Sequence, residues 1–172
     1  MRGAMKVVLI GYRCTGKTAV GKELSRLLNM RLVDVDFEIE ESREMKITDI
    51  FKNFGEPFFR DIETEMIRKL ADAQNTVIST GGGAVLREEN MEALRATGVV
   101  FCLYADAETI ISRTGGSNDR PLLAVENPLA KIKELLRVRM PFYEKAGILI
   151  DTNGKTPLEV AEEIADIIRC KK

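Results

Sequence analysis

The sequence predicts an α/β fold, in which helices cover both faces of a parallel five-stranded sheet as a three-layer α/β/α domain. One observation is that short apolar runs recur along the 172 residues and alternate with stretches of helical periodicity. The other is that glycine-rich, polar segments follow several of these runs. Ligands gather at the carboxyl ends of parallel strands, so these segments mark the expected binding edge. We expect a single domain over 1–172.

Each element follows from its local pattern. Five apolar runs are expected to be strands: 6–10, 31–34, 75–79, 98–103 and 147–150. Six stretches are expected to be helices: 16–29, 57–72, 88–96, 106–113, 126–144 and 157–170. The last helix is the clearest, because Leu158, Ala161 and Ile164 share one apolar stripe and Pro157 suits a first turn.

The loop between the first strand and the first helix has a recognisable pattern. Gly11-Tyr12-Arg13-Cys14-Thr15-Gly16-Lys17-Thr18 fits G-x-x-x-x-G-K-[ST] at every fixed position. Backbone N–H groups of such a loop, at the positive end of a helix, can cradle a di- or triphosphate. Lys17 would reach the β and γ oxygens, and the Thr18 hydroxyl would ligate Mg²⁺. The sequence therefore predicts a nucleotide-binding P-loop.

Composition narrows the class of protein. Apolar residues make up 45% and charged residues 31%, with a net charge of −1, so nothing indicates a nucleic-acid or membrane partner. The three cysteines are far apart and odd in number, which favours free thiols in a reducing compartment and hence a cytoplasmic protein. The N-terminal residues include one arginine and no long apolar segment, so a signal peptide is not expected. Histidine is absent, so proton transfer must fall to carboxylates or lysine.

Two aspartates follow the second strand. Asp34 and Asp36 are two apart at the end of an extended run, which predicts that their side chains share one face. One could hold Mg²⁺ through its water shell, and the other could accept or orient the proton of a substrate hydroxyl. The alternative is a solvated strand end.

Other candidate ligands are basic or glycine-rich. Arg60 precedes Glu63 by three residues on an expected helix, so the carboxylate could hold the guanidinium, in a clamp or in a surface ion pair. The three glycines 81–83 directly follow a strand and allow close approach of the backbone to a ligand. Arg137 and Arg139 are expected near the end of a helix closed by Pro141, where one could fork a substrate carboxylate.

Two segments interrupt the alternation of strands and helices. The first is a mostly helical insert over about 37–72, whose four phenylalanines are expected to fill its own core. The second is a glycine-rich, polar loop over about 113–124 that carries Arg113 and Arg120. In a phosphate-binding protein such a loop suggests a closing lid.

Taken together, the motifs resemble those of shikimate kinases over essentially the whole chain. The resemblance rests on G-Y-R-C-T-G-K-T, V-D-V-D (33–36), G-E-P-F-F-R-D-I-E (55–63), T-G-G-G (80–83), R-T-G-G-S-N-D-R-P-L-L (113–123), R-M-P-F-Y (139–143) and D-T-N (151–153). It implies a fold like that of nucleoside monophosphate kinases. It also implies Mg²⁺-dependent transfer of the ATP γ-phosphate to the 3-hydroxyl of shikimate, on the pathway to chorismate and aromatic amino acids. We expect a monomer.

The resemblance also implies residue roles. The catalytic residues would be Lys17, Asp36 and Arg120. ATP would be bound by Cys14, Thr15, Gly16, Lys17, Thr18, Ala19, Arg113, Arg120 and Lys155. Shikimate would be bound by Asp36, Arg60, Gly81, Gly82, Gly83 and Arg139, and the metal by Thr18 and Asp34. The chain departs from the family at Cys14, where many members have glycine, and at Lys155, where arginine is usual.

Three other functions share parts of this pattern. A gluconate kinase would have the loop and the lid but need not pair Arg60 and Arg139 with Asp36. A regulatory GTPase would need an N-K-x-D motif, which the sequence lacks. A structural nucleotide-binding module would leave the aspartates and arginines without a purpose.

Overall fold

The sheet has five parallel strands, as the sequence predicts. The structure, a computed structural model, describes residues 5–114 and 127–170. The strands are β1 (Lys6–Gly11), β2 (Arg31–Asp34), β3 (Thr76–Ser79), β4 (Val99–Tyr104) and β5 (Ile148–Asp151), in the order β2-β3-β1-β4-β5. Strand β1 is central, so the loop that follows it leaves the middle of the carboxyl edge.

Helices connect the strands. They are α1 (Lys17–Leu28), α2 (Val35–Arg43), α3 (Ile47–Leu70), α4 (Glu88–Thr97), α5 (Ala107–Thr114), α6 (Pro128–Ala146) and α7 (Pro157–Cys170), with a short 3-10 turn at Ala84–Leu86. Within the described ranges, none of these helices has the length and apolar character that crossing a membrane requires.

The core lies on both faces of the sheet. Strand β1 is fully buried, and its side chains alternate between the faces: Val8 and Ile10 join one apolar cluster, whereas Val7 and Leu9 join the other. The first cluster includes residues from α2, α3, α4 and α6, and the second includes residues from α1 and α7. This alternation is what a strand covered on both sides requires.

The insert differs from the expectation in its internal structure. It forms α2 and α3, and α3 is interrupted at Gly55, whose φ of 82° lies in the left-handed region. The expected helix from 57 is thus the inner half of α3, with Pro57 in its first turn. The expectation that the phenylalanines fill a core was wrong for three of the four. Phe59 is buried, but Phe51, Phe54 and Phe58 are exposed and stack in the pairs Phe51–Phe59 and Phe54–Phe58.

Helix α6 was also expected to end earlier. It continues through Pro141 to Ala146, so this proline does not close the helix. Proline removes one backbone donor and leaves the carbonyl four residues earlier without its usual partner. Pro141 is exposed to solvent, where water can bond that carbonyl.

A buried lysine joins two helix ends at the amino edge of the sheet. Lys6 begins β1, and its ammonium donates hydrogen bonds to the Ala71 carbonyl and, at 2.7 Å, to the Thr97 hydroxyl. Ala71 caps the carboxyl end of α3, and Thr97 is the last residue of α4. Burial lowers the pKa of Lys6, and the charge of Asp72 opposes that shift.

Candidate active site

The P-loop connects β1 to α1 through a backbone that three left-handed residues bend. Gly11, Cys14 and Gly16 have φ values of 140°, 59° and 96°. A Cβ on Gly11 would lie 2.3 Å from the Leu103 carbonyl oxygen, so only glycine fits against β4 at this position. Gly16 caps α1 without a side-chain bond, which leaves the first N–H groups of that helix, through Ala19, to a ligand. The backbone needed to bind phosphates is therefore present.

Two side chains of the loop, Thr15 and Lys17, bond to backbone carbonyls of the loop itself. Thr15 is buried, and its hydroxyl donates to the Tyr12 carbonyl at 2.8 Å, so its side chain stabilises the loop. The Lys17 ammonium donates to the carbonyls of Gly11 and Tyr12 at 2.8 and 2.9 Å. Burial lowers the pKa of Lys17 to about 8, against the opposing charges of Asp36 and Asp34. Lys17 is thus a cation that lacks a full counter-charge, as expected of a phosphate ligand.

Thr18 and Asp34 meet at the carboxyl edge. The Thr18 hydroxyl donates to Asp34 Oδ2 at 3.1 Å, and the other oxygen of Asp34 caps α2 by accepting from the N–H groups of Asp36 and Phe37. A hydroxyl and a carboxylate are oxygen ligands of the kind that Mg²⁺ prefers. No group of three or more acidic, histidine or cysteine side chains within 5–114 and 127–170 could hold a metal alone. The pair fits Mg²⁺ that takes its other ligands from phosphates and water.

The prediction that Asp34 and Asp36 lie together at the end of one extended run was wrong. Asp34 ends β2, but Asp36 lies in the first turn of α2, so the two residues do not continue one strand. Asp36 Oδ1 is buried and has no hydrogen-bond partner among the described residues. Burial and the charges of Asp34 and Glu63 raise the pKa of Asp36 to about 6, which the cations Lys17 and Arg60 partly oppose. Such a carboxylate can accept a proton near neutral pH.

Two carboxylates hold Arg60, and the sequence predicts one of them, that of Glu63. Its Nη1 lies 2.6 Å from Glu63 Oε2, and its Nη2 lies 3.0 Å from Glu56 Oε1. The side chain of Glu63 is fully buried, and burial raises the pKa of Glu63 despite the opposing charge of Arg60. The guanidinium also lies over the Phe59 ring, 5.1 Å from its centroid. Because Glu63 is buried, the pair is not a surface ion pair, and the alternative, in which Glu63 holds the Arg60 guanidinium in place, fits better.

The three glycines after β3 bring these side chains together. A Cβ on Gly83 would lie 2.2 Å from Arg60 Nη2. A Cβ on Gly81 would lie 2.9 Å from both Asp36 Oδ1 and Glu63 Oε1. A Cβ on Gly82 would lie 3.3 Å from the Arg13 nitrogen in the P-loop. Because residues 81–83 have no side chains, Asp36, Arg60, Glu63 and the P-loop can all approach this turn.

Arg139 reaches the same turn from α6, whereas its neighbour Arg137 points to solvent. Arg139 Nη1 lies 3.4 Å from the Gly82 carbonyl oxygen, and its guanidinium carbon lies 5.5 Å from the centre of the Tyr12 ring. The Tyr143 hydroxyl donates to the same carbonyl at 2.8 Å. Sequence reasoning missed Tyr143. Its spacing of four residues from Arg139, which puts both on one face of a helix, was the available signal.

The residues expected near adenine make bonds within the protein. Arg113 donates to the Thr152 hydroxyl at 3.0 Å and to the Thr152 carbonyl at 2.6 Å, which ties α5 to the segment after β5. Lys155 Nζ lies 2.7 Å from Glu163 Oε2 on α7. Arg120 lies outside the described residues, as does the expected lid apart from 113 and 114.

The thiols differ in their surroundings. Cys14 is half-buried in the P-loop, and Cys170 is exposed at the end of α7. Cys102 is buried on β4, and that burial raises its pKa to about 12.

Comparison with known proteins finds relatives by both sequence and structure. The family model described as shikimate kinase matches residues 13–169. A shikimate kinase of Thermodesulfovibrio yellowstonii is 54% identical over 158 residues, covering 92% of this chain and 91% of the relative. The structure of Acinetobacter baumannii shikimate kinase in complex with shikimate has a TM-score of 0.93 and 36% identity, covering 99% of this chain and 96% of that chain. Aquifex aeolicus shikimate kinase has a TM-score of 0.84 and 37% identity, with 96% of each chain covered.

Proposed function

Since the chain belongs to the shikimate kinase family and is an ATP-dependent shikimate kinase, we propose that its substrates meet at the turn of residues 81–83. The observation that carries this proposal is the convergence there of Asp36, Arg60 and Arg139. A cyclic acid with several hydroxyls needs cations for its carboxylate and an acceptor for a hydroxyl proton. The turn offers both, next to the P-loop.

Arg60 and Arg139 bind the carboxylate of shikimate. Arginine suits this role because its planar fork pairs with two carboxylate oxygens at once. The two glutamates on Arg60 and the Tyr12 ring under Arg139 hold the guanidiniums before substrate binds. Such preorganisation lowers the entropy cost of binding.

Asp36 accepts the proton of the 3-hydroxyl as the hydroxyl oxygen attacks the γ-phosphorus, and ADP leaves in line with it. Lys17, and Arg120 from the lid, supply positive charge to the transferring phosphoryl group, which is the main requirement of this chemistry. Thr18 and Asp34 would hold Mg²⁺, which when bound neutralises charge between the β- and γ-phosphates. The backbone of Cys14 to Ala19 cradles the phosphates, and Arg113 and Lys155 border the adenine.

We also propose that the enzyme acts as a monomer in the cytoplasm. One chain supplies all of the substrate ligands named above, and ATP is available in that compartment. Light scattering coupled to size exclusion tests the monomer.

The pH dependence of kcat/KM tests the role of Asp36. A base must be deprotonated to act, so activity should fall as the pH drops through about 6, the value to which burial and neighbouring charges raise the pKa of Asp36. Asp36→Asn should lower kcat and leave ATP binding nearly intact. An unchanged kcat in this variant would remove Asp36 from the mechanism.

The substrate assignment is tested by ADP release with shikimate, with gluconate and without an acceptor. We expect ADP release with shikimate, and little with gluconate or without an acceptor. Arg139→Ala should raise the KM for shikimate roughly 10- to 100-fold, because it removes a charge-assisted bond. Arg137→Ala, two residues away on the exposed side of α6, is the matched control and should leave KM unchanged. A lower affinity for ATP in Arg139→Ala, with shikimate binding preserved, would contradict the assignment.

A further inference from the structure

Tyr143 has a buried ring and a hydroxyl that bonds the turn of residues 81–83. Its exposed fraction is 3%, and its ring belongs to the apolar cluster that also contains Tyr12. The hydroxyl donates to the Gly82 carbonyl at 2.8 Å across 61 residues of sequence. A buried tyrosine hydroxyl requires a partner, and here the partner is the backbone of the turn at which the substrate ligands converge.

The Gly82 carbonyl is shared with Arg139. Arg139 Nη1 approaches it at 3.4 Å, longer than a good hydrogen bond, while the Tyr143 bond is short and well formed. Burial raises the pKa of Tyr143, and both the charge of Arg139 and a side-chain hydrogen bond between Arg139 and Tyr143 oppose that rise. Tyr143 therefore contacts the turn and lies within the field of the arginine.

Glycines on both sides of a peptide leave that peptide easy to rotate. Gly82 and Gly83 lack the Cβ atoms that would restrict their backbone angles. Because a peptide is planar, a fixed Gly82 carbonyl also fixes the Gly83 N–H on the opposite side of the peptide. The hydrogen bond from the buried Tyr143 hydroxyl to the Gly82 carbonyl can therefore select one orientation of the Gly82–Gly83 peptide.

We propose that Tyr143 is a positioning residue for shikimate: its hydroxyl fixes the Gly82–Gly83 peptide and keeps the Gly82 carbonyl where it orients Arg139. The inference rests on the proposed role of Arg139 as a carboxylate ligand. Tyr143 itself does not need to touch shikimate.

Tyr143→Phe tests this proposal, because it removes the hydroxyl and keeps the buried ring. The KM for shikimate should rise roughly five- to tenfold, the equivalent of one neutral hydrogen bond, while kcat and the KM for ATP stay within about twofold. Tyr104→Phe is the matched control: Tyr104 ends β4, and the hydroxyl that bonds the Gly82 carbonyl is that of Tyr143. It should leave all three constants unchanged.

A double-mutant cycle with Arg139→Ala separates this inference from the proposed function. If Tyr143 acts through Arg139, Tyr143→Phe should raise the shikimate KM less in the Arg139→Ala background than in the wild type. An unchanged shikimate KM in Arg139→Ala would refute the proposed function. A raised KM in Arg139→Ala with an unchanged KM in Tyr143→Phe would overturn only the positioning role. An equal loss of ATP and shikimate affinity in Tyr143→Phe, with a lower melting temperature, would show a structural role and would also overturn it.

Discussion

Lys6 begins β1 and Lys17 begins α1, after the loop that leaves the other end of β1, and both donate to backbone carbonyls. Helices that run antiparallel to the strands place their carboxyl ends at the amino edge of the sheet, where Lys6 bonds the ends of α3 and α4. The same geometry places the amino end of α1 at Lys17. Helix dipoles favour a cation at the first position and disfavour it at the second. Burial lowers the pKa of both lysines, but Lys6 lies at helix ends of favourable sign, whereas Lys17 lies at a helix end of unfavourable sign and is suited to an anionic ligand.

The largest expected effect is on turnover. Lys17→Met should lower kcat roughly 100-fold or more, because it removes a charge aimed at the transferring phosphate. Lys22→Met, which changes an exposed lysine further along α1, is the matched control and should keep normal turnover. A coupled ADP-release assay measures both. An unchanged kcat in Lys17→Met would show that catalysis does not use the charge of Lys17.

The second effect is on stability at the amino edge. Lys6→Met leaves the Ala71 carbonyl without its buried donor and should lower the free energy of unfolding by about 2 kcal/mol. Urea unfolding measures this loss. Turnover per folded molecule should stay near that of the wild type, since Lys6 lies at the edge opposite the P-loop. A specific loss of activity in folded Lys6→Met would show that the two edges are coupled.

A third effect is the pH dependence that the Lys17 environment imposes. Because the pKa of Lys17 is lowered from 10.5 to about 8, the unfolded chain binds more protons than the folded chain between these values. The wild type should therefore gain stability relative to Lys17→Met as the pH rises through that window, by on the order of 1 to 2 kcal/mol. Urea unfolding at intervals from pH 7 to pH 10 gives the difference. Parallel curves would mean that the fold does not disfavour the Lys17 charge.

The smallest effect concerns the backbone beside Lys17. Cys14 adopts a φ of 59°, a left-handed conformation that costs most residues about 1 kcal/mol and glycine almost nothing. Cys14→Gly should raise the free energy of unfolding by less than about 1 kcal/mol, since glycine also gains entropy in the unfolded chain. Turnover should be preserved. A lower melting temperature would mean that the Cys14 side chain contributes more than its strained backbone costs.

Alternation of strands and helices, together with the P-loop pattern, was enough to predict the five-stranded sheet and the loop that leaves its carboxyl edge. The relation of Asp34 to Asp36 was not predictable, because the Asp34 side chain caps α2 at once and turns the chain out of its strand. The exposed phenylalanines were also misjudged. Aromatic residues on an insert can pair with each other on the surface, as Phe54 and Phe58 do, without entering a core.

Other parts of the site depend on contacts between distant segments. The spacing of Arg60 and Glu63 indicated their ion pair, since both lie on one helix. No local pattern could show that Tyr143 bonds Gly82, because 61 residues separate them and the bond depends on the packing of α6. The glycines at 81–83 were expected to admit a ligand. Their positions show that they make room for Arg60, Glu63 and Asp36, and the approach of a ligand stays a prediction.

The break in α3 at Gly55 divides the insert into two parts that an engineer can treat separately. The inner half, from Pro57, carries the carboxylate clamp and several of its residues are buried. The outer segment, Ile47 to Phe54, carries two of the exposed aromatic side chains and meets the inner half through the stacked rings of Phe51 and Phe59. The outer segment is thus anchored to the core at Ile50, so substitutions confined to its exposed face should leave the Arg60–Glu63 ion pair intact.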